Sequence, residues 1–222
     1  MKRRWLSGAI LLVAAFHQVW ANLPIVVENG TPFEQRCARE AMENVMAEYQ
    51  GLGMEPEFEV PCTVTFCDRI TMGDRVLEST LGQYNRVTHS IRMVGLGSEI
   101  FRNSDHLGID DWEIAYRVIL QHEITHYMNS LLVPQMHPVV DEYVAGYMQF
   151  VEVDQQIIDA AVVRWACGTP IPLSQVSIMR YVAAPKEFLM FGYRYFQRHP
   201  ASLLRCLRSG GPRIRDPFMI GA

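Results

Sequence analysis

The chain has 222 residues with a formal net charge of −4; hydrophobic residues make up 49% of it and charged residues 20%. This length suits one domain with a substantial core and is short for two, and the composition is that of a globular protein. The mildly acidic charge, without a basic stripe, lacks the electrostatic signature of a nucleic-acid-binding protein, so we expect no nucleic-acid partner.

The first residues have the pattern of a secretory signal peptide. Residues 2–4 are basic, residues 8–16 are apolar but too few to span a bilayer, and residues 19–21 (Val-Trp-Ala) suit cleavage. We expect residues 1–21 to be removed, so that the mature chain begins near Asn22 and works in the periplasm or as a secreted protein. Cleavage removes three positive charges, so the net charge falls from −4 to −7. The alternative is an uncleaved membrane anchor.

The cysteine content is compatible with an exported protein. Five cysteines lie after the predicted cleavage site: Cys37, Cys62, Cys67, Cys167 and Cys206. An odd number permits at most two disulfides and leaves one thiol, and a chain of this length does not need them to fold. Because no CxxC spacing occurs, we do not expect a structural zinc site made of cysteines.

The N-terminal half predicts one helix followed by strands. Thr31-Pro32 begins a helix over residues 33–50, which Gly51-Leu52-Gly53 ends. Residues 58–66 alternate as a strand, and residues 84–94 form a second extended segment. The expected inward face of the first strand consists of Val60, Cys62, Val64 and Phe66.

The C-terminal half predicts helices. Asp110 or Asp111 caps a helix that runs to Leu132, with Glu113 closing a capping box on Asp110. Pro138 begins the next helix, which reaches about Phe150. Further helices are expected over residues 154–166, 174–182 and 186–198, and the sequence predicts one α+β domain over residues 22–211 with a loose tail over residues 212–222.

Residues 122–126 of the long predicted helix read His-Glu-Ile-Thr-His, the HExxH motif. His122 and His126 lie one helical turn apart, so both imidazoles can bind one zinc ion. Glu123 is about 100° around the helix, off the metal but beside a bound water, where it can act as general base.

A catalytic zinc site needs a third protein ligand. The extended motif HExxHxxGxxH is absent, because Asn129 and Leu132 occupy its Gly and third His positions. Glu142, on the next predicted helix, is the preferred third ligand. His137, in the loop before Pro138, and Asp141 remain alternatives.

Residues 118–150 resemble the gluzincin metallopeptidases, particularly the small "peptidase MA-like" group, which has HExxH followed by a second helix with a ligand Glu. Residues 82–93 are similar to that group's edge strand, and residues 187–211 to its closing helices. The resemblance implies a zincin-like fold: a small N-terminal mixed sheet, an active-site helix at the floor of a cleft and a helical C-terminal part.

The resemblance also implies one Zn²⁺ per chain, held by His122, His126 and Glu142, with Glu123 as general base. The edge strand would align an extended peptide or flexible protein segment by strand addition. This chain departs from the group's pattern at three positions: Tyr143, Val139 and Gly146. Where related proteins often have an Asp that orients a zinc-bound His, this chain has Gly146, and Asp141 or a backbone carbonyl could take that role.

The predicted function is therefore a zinc metallopeptidase acting outside the cytoplasm. The oxyanion of peptide hydrolysis also needs a donor. The candidates are Tyr181, Tyr193, Tyr195 and His199, although each is more simply explained as an ordinary packing or surface residue. Three alternatives remain: a catalytically silent zincin-fold binding or scaffold protein of the cell envelope, a metal-carrying protein with a saturated site, and an enzyme for a non-peptide amide.

Overall fold

A computed structural model describes residues 24–165 and 168–212. Its strands are β1 (Ile25–Glu28), β2 (Cys62–Cys67), β3 (Thr71–Met72), β4 (Arg75–Val76), β5 (Gly82–Asn85) and β6 (Ser90–Val94). Its helices are α1 (Pro32–Gly51), α2 (Glu99–Arg102), α3 (Trp112–Leu132), α4 (Pro138–Met148), α5 (Gln155–Arg164), α6 (Ile178–Ala183), α7 (Pro185–Arg198) and α8 (Pro200–Ser209). The described residues thus form a single α+β domain with a small sheet near its N-terminus, as predicted.

The main sheet is mixed, with strand order β1-β2-β6-β5. β1, β2 and β6 are parallel, whereas β5 runs antiparallel to β6 and forms one edge. The predicted inward face of β2 is confirmed at Cys62, Val64 and Phe66, which are buried. Val60 is exposed because the strand begins only at Cys62, so its predicted burial is wrong.

The second extended segment is a hairpin rather than one strand. β5 and β6 pair from Gly82 with Met93 to Asn85 with Ser90, and the residues between them turn. Val87 lies in this turn and is 91% exposed, because the chain reverses before the predicted alternation can continue. The short β1 was not predicted, and neither was the small hairpin formed by β3 and β4.

The helix boundaries follow the predicted caps closely. Thr31 and Glu34 form a capping box at the start of α1. At α3 the cap is Asp111, whose side chain accepts bonds from the backbone N–H groups of Glu113 and Ile114, so the capping box predicted on Asp110 is wrong. In place of a helix over residues 174–182, the chain forms a short 3₁₀ turn and then α6.

Helix α4 is held between α3 and α7. A Cβ atom on Gly146 would lie 2.5 Å from the backbone oxygen of Leu189, and a Cβ on Gly192 would overlap the backbone oxygen of Tyr143. Gly146 therefore faces α7 rather than α3. The buried Tyr143 hydroxyl shares its one proton between the carbonyl oxygens of Ile171 (2.6 Å) and Phe191 (3.0 Å), which fixes α4 from the same side.

Several sequence predictions concern residues outside the described ranges. These are the signal peptide over residues 1–21, most of the tail (residues 213–222) and Cys167. Within the described ranges, Cys37, Cys62, Cys67 and Cys206 are free thiols. No helix in the same ranges combines the length and apolar character that crossing a membrane requires.

Candidate metal centre

The two histidines of the HExxH motif converge on one point beside helix α3. The motif lies in the middle of this 21-residue helix, where backbone hydrogen bonding holds both residues one turn apart. His122 Nε2 and His126 Nε2 are 3.1 Å apart, so the two ring nitrogens face the same space. The side chains are 13% and 11% exposed, respectively, which leaves this space open to solvent on one side.

Glu142 brings a carboxylate to the same point from helix α4. Its Oε2 lies 3.3 Å from His122 Nε2, and its Oε1 lies 3.6 Å from His126 Nε2. Buried Oε2 makes no hydrogen bond of good geometry within the described residues, although it is close to the imidazole. The three side chains form the one group of metal-ligating residues found in the described ranges.

This donor set fits a zinc ion. Ligand bonds of about 2.0–2.2 Å in a tetrahedron place neighbouring ligand atoms about 3.3–3.6 Å apart. The two Nε2 atoms are 3.1 Å apart, and each lies 3.3–3.6 Å from one of the two Glu142 carboxylate oxygens; taken as one ligand atom per residue, the three lie within 4.8 Å of one another, which is near that spacing. Two imidazoles and one carboxylate are also the ligands of a catalytic rather than a structural site, because the fourth position remains for water.

The electrostatics of the cluster favour positive charge. Burial alone would raise the pKa of Glu142, but the adjacent His122 imidazole and the charges of both histidines lower it to about 2. Burial alone would lower the pKa of His126, but Asp141 and Glu142 raise it to about 10. The same carboxylates would favour a divalent cation in place of that proton, since an imidazole must be deprotonated to bind a metal.

Glu123 lies under the edge strand β5. A Cβ atom on Gly82 would be 2.6 Å from Glu123 Cγ, so this strand reaches the carboxylate only because position 82 is glycine. The backbone N–H of Tyr84 is a hydrogen-bonding neighbour of the same carboxylate. Burial raises the pKa of Glu123, against the lowering effect of the two histidines, and so brings the group toward the range useful to a general base.

Each histidine is also held through its second ring nitrogen. His126 Nδ1 lies 3.0 Å from Asp141 Oδ2, and His122 Nδ1 lies 3.2 Å from Gln149 Oε1. Asp141 is the substitute that we had left open for the missing Asp at position 146. Gln149 was not predicted, and no spacing in the sequence indicates that the residue directly after α4 reaches His122.

A cleft of about 1030 Å³ opens beside the motif. His122, Glu123 and Gln149 contribute to its wall, and it extends past Gly82 to the N-terminus of α2. Glu123 therefore borders a space large enough for several residues of a peptide.

The remaining sequence candidates are distributed around the fold. Among the four oxyanion candidates, Tyr181 is at the site, where its hydroxyl is a hydrogen-bonding neighbour of Glu142. The other three make contacts outside the cluster: Tyr193 with Gln155, Tyr195 with Ser202, and His199 with the ring of Tyr195. His137, an alternative third ligand, caps the start of α4 with its Nδ1 and does not join the cluster.

One protein-family model matches the chain. A family model described as a family of unknown function (DUF6639) matches residues 25–211. The chain belongs to this family. The match includes the sheet, the HExxH helix and the helix of Glu142, so the candidate site lies inside the region shared with DUF6639. No curated protein matches the chain, and no solved structure does either.

Proposed function

We propose that this member of DUF6639 is a zinc-dependent metallopeptidase. The observation that carries the proposal is the convergence of His122, His126 and Glu142, whose ligand atoms lie within 4.8 Å of one another, with Glu123 beside them on the wall of a cleft. Bound there, zinc would polarise a carbonyl group and lower the pKa of a water molecule. The gluzincin resemblance implies the same ligands.

Glu123 provides the proton transfer in this proposal. Its carboxylate is buried against Gly82, with a raised pKa, and it lies off the point where the three ligand side chains meet. It can accept a proton from the attacking water and later donate it to the leaving amine.

Tyr181 is the proposed donor to the developing oxyanion. Its hydroxyl is on the Glu142 side of the cluster, and burial beside carboxylates raises its pKa, so the phenol keeps its proton. A neutral hydroxyl can donate a hydrogen bond as negative charge develops on the substrate oxygen.

The edge strand favours an extended peptide as substrate. Val94 N–H donates a hydrogen bond to the Leu81 carbonyl oxygen at 2.8 Å, so the backbone polar groups of Leu81 face β6. In an antiparallel pair, successive residues point these groups alternately toward and away from the partner strand. The backbone polar groups of Gly82 and Tyr84 therefore face away from β6. They lie at the edge of β5 that has no strand partner among the described residues; the Tyr84 N–H already neighbours the Glu123 carboxylate, so the Gly82 N–H and the carbonyl oxygens of both residues are the groups left for a substrate backbone. An extended peptide or flexible protein segment can pair with such an edge while its scissile bond reaches the cluster. The predicted signal peptide would place this activity outside the cytoplasm.

Two alternatives lose support. The scaffold interpretation depended on the absence of an orienting Asp at position 146, and Asp141 contacts His126 instead. A metal carrier with a saturated site needs a fourth protein ligand, whereas the group found in the described residues has three. An enzyme for a non-peptide amide would use the same chemistry. Assays that compare peptide substrates with non-peptide amides distinguish it from a peptidase.

The test is hydrolysis of fluorescently labelled casein and of a quenched peptide mixture by the zinc-loaded protein. We expect cleavage that a chelator abolishes and added zinc restores. Glu123→Gln should reduce the rate by about 10²–10⁴-fold, because it removes the proton acceptor. Glu113→Gln, in the exposed first turn of α3, is the matched control and should retain full activity. No cleavage by the zinc-loaded protein, or equal cleavage by Glu123→Gln, would contradict the proposal.

A further inference from the structure

Asp141 and Glu142 are consecutive residues that hold His126 from two sides. Glu142 Oε1 lies 3.6 Å from Nε2 of this imidazole, and Asp141 Oδ2 lies 3.0 Å from Nδ1. Both carboxylates come from one turn of α4. The ring of His126 is thus bracketed by its proposed co-ligand and by a second, buried carboxylate.

A chain of buried hydrogen bonds holds the Asp141 carboxylate in place. Asn129 Nδ2 donates to Asp141 Oδ1 at 2.7 Å, and the Tyr49 hydroxyl donates to Asn129 Oδ1 at 2.6 Å. Tyr49 and Asn129 are 0% exposed and Asp141 is 7% exposed. Arg86 approaches Asp141 Oδ2 from the β5–β6 turn at 3.6 Å. The contacts therefore join α1, α3 and α4 behind the site, and buried networks of this kind restrict side-chain orientation.

In this chain, position 146 has no room for the Asp that, by the gluzincin resemblance, would orient a zinc-bound histidine. Gly146 lies one turn after Glu142, but it faces α7, where a side chain would collide with the Leu189 backbone. An Asp at 146 would therefore not fit. Asp141, the residue directly before Glu142, can provide the orienting carboxylate instead.

We propose that Asp141 is the positioning residue for His126: it holds Nδ1–H so that Nε2 presents its lone pair to the metal. The Asn129–Tyr49 contacts keep the Asp141 carboxylate in that orientation. This inference rests on the zinc site of the proposed function. A carboxylate on the far nitrogen fixes the tautomer and raises the basicity of a ligand imidazole. His122 has the neutral amide oxygen of Gln149 instead, so the two ligands differ in how strongly they are held.

The experiment measures zinc affinity by competition with a chromophoric chelator, together with the unfolding of the metal-free protein. Asp141→Asn should weaken zinc binding about 10–100-fold. The absorption spectrum of the Co²⁺-loaded protein should also change, because the His126 ring is no longer fixed. Asp159→Asn is the charge-matched control, since Asp159 is exposed on α5, where its carboxylate accepts a hydrogen bond from Gln155; this variant should leave both readouts unchanged.

The outcomes separate this inference from the proposed function. If the unsubstituted protein binds zinc and Asp141→Asn binds it equally tightly, the positioning role is wrong and the zinc site stands. If the substitution lowers the stability of the metal-free protein without changing zinc affinity, Asp141 is structural and the inference is again overturned. If the unsubstituted protein binds no zinc, the proposed function itself fails.

A measurement on the unsubstituted protein covers the case in which Asp141→Asn does not fold. Nitrogen-15 NMR of the zinc-loaded protein should show Nδ1–H tautomers for both ligand histidines, with the His126 Nδ1 proton further downfield than that of His122. Equal shifts for the two protons would contradict a special role for Asp141.

Discussion

Gly82 of the edge strand and Glu123 of the HExxH motif are in direct contact, and a Cβ atom at position 82 would lie 2.8 Å from Glu123 Oε1. The strand can approach this closely only without a side chain at that position. The contact joins the proposed peptide-binding edge to the proposed general base. Its consequence is that small changes in β5 should alter catalysis before they alter metal binding.

Gly82→Ala should therefore displace the Glu123 carboxylate. A shift of the order of 1 Å can cost about 10²-fold in rate, so we expect kcat for peptide cleavage to fall by about 10–100-fold while zinc content stays at one ion per chain. The control is Gly97→Ala in the same cleft, where an added Cβ meets nothing within 4 Å. Equal activity of the two variants would show that the Gly82 contact is irrelevant to catalysis.

Tyr181→Phe should separate transition-state stabilisation from metal binding. Loss of one oxyanion donor typically costs about 10²–10³-fold in kcat, and we expect that loss with little change in KM and none in zinc content. Tyr195→Phe is the control, because the Tyr195 hydroxyl contacts Ser202 outside the cluster. A Tyr181→Phe variant with unchanged kcat would exclude this tyrosine as the donor.

Gly146→Asp tests whether close packing of α4 on α7 prevents position 146 from carrying the carboxylate that orients His126. This substitution introduces the residue that the gluzincin resemblance leads one to expect at this position, yet its Cβ would collide with the Leu189 backbone. Overpacking of this kind costs about 1–3 kcal/mol, so the free energy of unfolding should fall by at least that amount, as measured by chemical denaturation. Gly51→Ala, where a Cβ meets nothing within 4 Å, should be neutral or slightly stabilising. A fully stable Gly146→Asp variant would contradict the closeness of α4 and α7.

Tyr49→Phe tests the buried contacts behind the site. The change removes the hydroxyl that bonds Asn129 Oδ1 and leaves that buried oxygen without its partner. We expect the free energy of unfolding to fall by about 1–3 kcal/mol. Tyr147→Phe, which loses a hydroxyl bonded to Glu48 in a partly exposed place, should cost less. If the order of the two losses is reversed, Tyr49 does not hold Asn129 as the structure indicates.

The local parts of the fold and site could be predicted from the sequence. Helix α3 has a capping residue and continuous apolar character, so the one-turn spacing of His122 and His126 follows directly from helix geometry. Glu142 could be proposed because a short loop must return α4 beside α3. The buried face of β2 could be predicted because the alternation of apolar and polar residues along a strand is a local property of the sequence.

The features that were missed depend on contacts between distant segments. Whether Asp141 or a backbone carbonyl holds His126 depends on the rotation of α4, which is set by its close packing on α7 at Gly146 and Gly192. The pairing of Gln149 with His122 and of Tyr49 with Asn129 likewise joins residues 27 and 80 positions apart. No spacing rule in the sequence specifies such pairs.

The most direct test of the account is the metal content of the purified protein by mass spectrometry, compared with a His122→Ala/His126→Ala double variant. His137→Ala is the control, because His137 caps α4 outside the cluster. We predict about one zinc per chain in the unsubstituted protein and in His137→Ala, and none in the double variant. No zinc in the unsubstituted protein after incubation with excess metal, or zinc retained by the double variant, would contradict the metal centre on which the account rests.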